Sequence, residues 1–238
     1  MLRRIDLRAF TGDLSDVLPR PETPTGGPVD VVRDILATVA ERGDAAVREY
    51  TSRFDGVELD SLVVADAELA AAMERIEPDV RAALELAADR IAAYHEAQMP
   101  ADVRVEQPGV SIRGMHRAVE RAACYVPGGR AVYPSTVLMT AVPARVAGVE
   151  QIVVCVPPGP DGKVPDIVLA AAKIAGAHEV VSVGGAQAIG AVAHGTESIR
   201  PVDVIVGPGN IYVALAKQEV AGTVGVPSSF AGPSEVVV

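Results

Sequence analysis

Four short runs hold the residues that could act on a ligand. They are Tyr125-Val126-Pro127-Gly128-Gly129, Pro157-Pro158-Gly159-Pro160, Gly184-Gly185-Ala186-Gln187 and Gly207-Pro208-Gly209-Asn210. Glycine has no Cβ, so bare main chain can come close to a ligand and adopt positive φ. A helix that starts straight after such a run offers unpaired N–H groups and a partial positive charge, which suits a pyrophosphate. Gln187 and Asn210 each stand where a helix would begin. Their amides donate and accept, as a ribose or a nicotinamide amide requires. Tyr125 offers a flat face or a hydroxyl. Any one run is equally an efficient strand-to-helix turn. Three glycine-rich runs on one edge, two of them with an amide at the helix start, favour a ligand.

Other chemistry-bearing residues read as structural. His95, His116, His178 and His194 show no i, i+4 pair and no Cys at ligand spacing, so no zinc site is written in this sequence. Cys124 and Cys155 each fall in a strand-like run and read as buried free thiols in a reducing compartment. Asp55, Glu58 and Asp60 read as a solvated turn, and Asp161-Gly162-Lys163 as a loop tip.

The elements that must position the four runs follow from periodicity. From residue 122 onward, strands alternate with helices. The strands are at 123–126, 151–156, 179–183 and 203–206, and the helices at 135–147, 166–175, 186–193 and 211–220. This pattern predicts βαβ units around a parallel sheet. The strands are apolar without alternation, as when helices cover both faces. In such a sheet all four runs lie at the carboxyl edge, where open α/β sheets bind ligands.

The earlier part differs. Residues 1–28 read as a proline- and glycine-broken arm. Residues 29–99 read as helical, with a break at Gly43, Asp66 as an N-cap, and a long helix over 79–98. Val103-Arg104-Val105-Glu106 and Val110-Ser111-Ile112-Arg113 predict a hairpin across Gln107-Pro108-Gly109. The fold class expected is α/β: a helical and hairpin segment followed by a doubly wound, incomplete Rossmann-like parallel sheet.

Composition narrows the function. The chain has 238 residues, of which 49% are hydrophobic, and a net charge of −10. That is too apolar for a disordered chain, and the acidic balance argues against nucleic acid. No apolar run reaches the roughly 18 residues of a membrane span, and no secretory signal follows Met1. The dinucleotide fingerprint is incomplete. Gly207-Pro208-Gly209-Asn210-Ile211-Tyr212 lacks the third glycine, and no acid follows about 20 positions on.

Six runs taken together say more. The four-part set of Tyr125 to Gly129, Tyr133-Pro134-Ser135-Thr136-Val137-Leu138-Met139, Gly184 to Ile189 and Gly195-Thr196-Glu197-Ser198 is followed by Val206 to Asn210 and Ala231-Gly232-Pro233-Ser234-Glu235. In this order they resemble the histidinol dehydrogenase family, over essentially the whole chain and little more than half of a full member. The resemblance implies a cytoplasmic, zinc-containing, NAD-dependent homodimer. Such an enzyme oxidises L-histidinol through the aldehyde to L-histidine, the last step of histidine biosynthesis. Tyr125, Gln187 and Asn210 match the family's NAD contacts, and Ser234 a substrate contact. The family's zinc ligands and catalytic Glu-His pair follow the Gly-Pro-Ser-Glu motif, so they are expected beyond residue 238. In the complete enzyme zinc would lower the pKa of the alcohol, a downstream His would take its proton, and hydride would pass to NAD.

The resemblance divides the chain into the arm 1–28, a first-domain part at 29–121, a Rossmann-like NAD-binding domain at 122–230, and a return into the first domain at 231–238. Ser234-Glu235-Val236-Val237-Val238 reads as a buried strand just starting, so the natural protein is expected to continue. Residues 29–121 would then lack sheet partners, expose apolar surface and be cut first by protease. Two alternatives remain open: a related dehydrogenase acting on another polar alcohol such as a sulfonated diol, and a non-catalytic nucleotide-binding module.

Overall fold

A computed structural model of the chain describes residues 5–14, 17, 27–129 and 131–227. The proposed arm lies mostly outside these residues, and the return at 231–238 lies wholly outside them.

Four parallel strands make the central sheet: β3 (Arg121–Tyr125), β4 (Gln151–Cys155), β5 (Glu179–Val181) and β6 (Val204–Val206), in the order β5-β4-β3-β6. Successive side chains of a strand point to opposite faces, and here both faces are apolar. Ala123, Tyr125, Val153, Cys155, Val181 and Ile205 pack beneath α1 (Gly27–Asp55), α6 (Gly185–His194) and α7 (Ile211–Val220). Cys124, Ile152, Val154 and Val180 pack beneath α2 (Asp66–Arg75), α3 (Pro78–Ala97), α4 (Pro134–Val146) and α5 (Asp166–Ala175). Burial on both sides is why these strands carry no alternating pattern. The doubly wound α/β class expected from the sequence is the fold observed.

Three strands are shorter than expected, β4 and β6 by one residue and β5 by two, and both edges of the sheet are finished by segments the periodicity did not reveal. Ser182 N–H donates to the Leu62 carbonyl and Val64 N–H to the Val180 carbonyl, so residues 62–64 run antiparallel beside β5. Gly225 exchanges hydrogen bonds with Asp203 and Ile205 on the far side, beside β6. Both exposed ladders are thereby partly capped.

The helices of the 29–121 block are largely covered. Their apolar stripes are covered within this chain. Val32, Ile35, Leu36, Val39 and Val47 of α1 are buried against α6 and α7, and Leu69, Ala72, Leu84 and Ala88 are buried against α4 and α5. The reason is layer geometry: a two-faced sheet needs more helical cover than its own crossover helices supply. Exposed apolar surface within 29–121, as expected, lies on the hairpin β1 (Val103–Gln107) and β2 (Val110–Gly114), exposed along its full length, and on Leu86 and Tyr94 of α3.

Helix ends show a further difference. Ala65, not Asp66, caps α2. Asp66 is the first helical residue and makes no capping bond. Its charge still meets the positive end of the helix dipole. The break at Gly43 is present, with φ 54° and ψ −133° inside α1.

Candidate functional site

A cleft of about 750 Å³ opens at the carboxyl edge of the sheet. β3 lies between β4 and β6, so the chain winds outward in two directions from it. That switch point is where open α/β sheets take ligands. Tyr125, Gln187 and Asn210 come from three different strand ends, and all line this one cleft.

Each is held differently. Tyr125 is 4% exposed. Its hydroxyl oxygen accepts a hydrogen bond from Gly185 N–H at 3.0 Å, which leaves the O–H itself to donate. Burial pushes the phenol up to about 12, so it stays protonated at neutral pH. Gln187 is 1% exposed, and neither Oε1 nor Nε2 has a hydrogen-bond partner among the described residues. A buried amide left unpaired costs about 1–3 kcal/mol. Asn210 is the N-cap of α7: its Oδ1 accepts from Val213 N–H at 3.1 Å. Its NH2 group can still donate to a ligand, and Oδ1 keeps one of its two lone pairs.

Gly185 ties two of these together. It has φ +67°, and a Cβ there would lie 2.5 Å from Gln187 Oε1. The missing side chain is what lets the amide fold over the same N–H that holds Tyr125. Gly207 works similarly between strands: a Cβ there would overlap the Tyr125 carbonyl. Side chains at Gly128 or Gly184 would strike Pro157, and one at Gly209 would strike Val213. The glycines were expected to bare main chain to a ligand. At these positions the space is filled by protein, and they serve to close the loops on one another. Gly129, with nothing within 4 Å of its Cβ position, is the one that opens to the cleft.

Several contributors were not visible in the sequence. Buried Lys217 reaches back from α7 to donate to the Gly207 carbonyl at 3.0 Å, and burial lowers its pKa. Phe54 and Asp55 enter the cleft from the end of α1, some 70 residues before Tyr125 in sequence. Asp55 was read as part of a solvated turn. It is exposed, as a turn residue would be, and it also lines the cleft, because the helix that resumes after Gly43 ends at the sheet edge. Ser234 lies outside the described residues.

Among the described residues, no group of three or more His, Cys, Asp and Glu could hold a metal ion, and no helix is long and apolar enough to cross a membrane. His178 is structural: its Nδ1 accepts from Ile152 N–H at 3.1 Å. Cys124 and Cys155 are buried and free, and burial pushes both thiols up, Cys124 to about 12.

Comparison with known proteins identifies the family. A family model described as histidinol dehydrogenase matches residues 18–238. Curated histidinol dehydrogenases from Parasynechococcus marenigrum and Methanothermobacter thermautotrophicus are 53% and 50% identical, over 100% and 94% of this chain. The chain spans about half their length, 52% and 53% respectively. The crystal structure of histidinol dehydrogenase from Elizabethkingia anophelis superposes with a TM-score of 0.86 at 33% identity, covering 92% of this chain and 51% of that one. With a family model matched over residues 18–238 and relatives about half identical along the whole chain, the chain belongs to the histidinol dehydrogenase family.

Proposed function

We propose that this chain forms the NAD-binding part of a zinc-containing dehydrogenase that oxidises L-histidinol to L-histidine, in the cytoplasm and as a homodimer. The carrying observation is the buried, unpaired amide of Gln187, in one cleft with Tyr125 and Asn210. A carboxamide matches a nicotinamide amide or a ribose hydroxyl, since each can donate and accept. The Tyr125 O–H and the Asn210 NH2 add two donors, and the walls formed by Pro127, Pro157 and Pro158 keep water from the ligand. NAD, when bound, supplies the hydride acceptor. Zinc does not fit the described residues, among which no group of three or more His, Cys, Asp and Glu could hold it. Its ligands and the catalytic Glu-His pair belong to the part of the family that follows Ser234, which we assign to substrate contact.

We also assign residues 29–121 to a domain completed, in the full-length protein, by residues after the 122–230 unit. The exposed hairpin supports this division.

Isothermal titration tests the NAD reading. The chain should bind NAD weakly, and Gln187→Ala should weaken that binding at least about tenfold. Equal affinity in the variant would remove the basis of the reading. Histidinol-dependent NADH formation should be absent from residues 1–238 alone and present when the remaining half of a family member is supplied. Turnover by the 238-residue chain alone would contradict the assignment.

A further inference from the structure

Lys217 is a cation buried where packing needs none. It lies on the inner face of α7 and is 4% exposed. The other buried residues of that helix are Val213, Leu215, Ala216 and Val220, all apolar. Taking an ammonium out of water is costly, and burial lowers its pKa here. A methionine of similar length would fill the same space without that cost.

The ammonium runs back along the helix to the loop that precedes it and donates to the Gly207 carbonyl at 3.0 Å. Gly207 is the first residue past β6, where the chain leaves the sheet. It has φ +106° and lies against the Tyr125 carbonyl, where a Cβ has no room. Proline follows it, so the Gly207–Pro208 peptide has no N–H, and the carbonyl is its one hydrogen-bonding group. At the far end of the loop, Asn210 Oδ1 is tied to Val213 N–H. Pro208 and Gly209, between these ties, are exposed. Val213 and Lys217 stand one turn apart on the same face of α7. The loop is thus fastened at both ends to one face of one helix.

We infer that Lys217 is a positioning residue: by holding the Gly207 carbonyl it fixes the 207–210 loop and so aims the Asn210 amide at the dinucleotide. This rests on the NAD reading and deepens it. Lys217 does not itself line the cleft, so it acts through the loop and not on the ligand. Without the tie, the loop would have to be ordered at the moment of binding, and that entropy would be subtracted from affinity.

The test is a pair of double-mutant cycles on the 238-residue chain, read by calorimetric titration with NAD. Asn210→Ser keeps a helix-capping oxygen and removes the NH2 group. It and Lys217→Met should each weaken binding about five- to tenfold. Together they should weaken it about as far as Asn210→Ser alone, because the lysine acts only through that amide. Lys217→Met combined with Gln187→Ala, on a different loop, should instead multiply the two losses. Lys217→Gln, whose amide ends one atom short of the ammonium position, serves if the methionine variant does not fold, and should give the same pattern. Losses that multiply with Asn210→Ser overturn the inference. So does equal coupling to Gln187, which would make Lys217 a support of the whole cleft. If wild type binds NAD and Gln187→Ala impairs it while the lysine variants bind as wild type does, this inference alone fails. If wild type does not bind NAD, the NAD reading fails first and takes this one with it.

Discussion

The Gln187 amide is a stability liability that a ligand would relieve. Replacing it with methionine, of similar length and without unpaired polar atoms, should raise the melting temperature by about 2–4 °C while weakening NAD binding at least about tenfold. Thermal melts and titrations on the same preparation check both halves. A lower melting temperature would mean that the amide has a partner in the folded chain. Tyr125 gives a pH test. Its folded pKa is raised from the ordinary 10 to about 12 by burial. The stabilisation it contributes is therefore complete below about pH 10 and lost as pH rises through about 12. Tyr125→Phe should flatten that part of the alkaline stability profile; an unchanged slope would place the titration elsewhere. Gln187, Asn210 and Tyr125 were legible as candidates because glycine-rich turns flank them. The internal capping use of Asn210 Oδ1 was not, since a cap and a ligand contact look alike in sequence.

At the scale of elements, the run Gly195-Thr196-Glu197-Ser198 acquires a structural purpose. α1 breaks at Gly43, and the helix that resumes there needs its N–H groups satisfied. The Glu197 carboxylate accepts from Asp44 N–H at 2.7 Å, and the Asp44 carboxylate accepts from Ser198 Oγ at 2.7 Å. Burial raises the pKa of Asp44, but the bonds from Thr196 and Ser198 and the Arg48 charge outweigh it and hold the carboxyl below its ordinary value. A depressed carboxyl contributes stability above about pH 4, and loses it as pH falls through the folded pKa. Asp44→Ala should therefore destabilise the chain by about 2 kcal/mol at neutral pH, and by less in acid. Urea titrations at both pH values check this; a pH-independent loss would rule out the ionised carboxylate as the source. The lock matters for the cleft because the second half of α1 delivers Phe54 and Asp55 to it. The sequence showed a break at Gly43, yet the partner that bridges it lies some 150 residues away, beyond the reach of any local pattern.

For the whole molecule, strand order and layer class were readable because strands alternated with helices at regular spacing. The packing of α1, α2 and α3 onto that unit was not, because an amphipathic stripe shows that a helix is covered without showing what covers it. This changes the expected protease sensitivity. Early cuts should fall around the exposed hairpin, within 98–120, while α1–α3 resist as long as 122–227. Mass mapping of a limited digest checks it; rapid loss of 27–55 would mean that the observed cover is weak. The central claim is that three strand ends build one dinucleotide cleft. Its most direct measurement is a crystal structure of this chain soaked in millimolar NAD. Density against Tyr125, Gln187 and Asn210 together, with an atom of NAD within hydrogen-bond reach of the Gln187 amide, is the expected result. NAD bound at another surface, with that amide still unpaired, would contradict it.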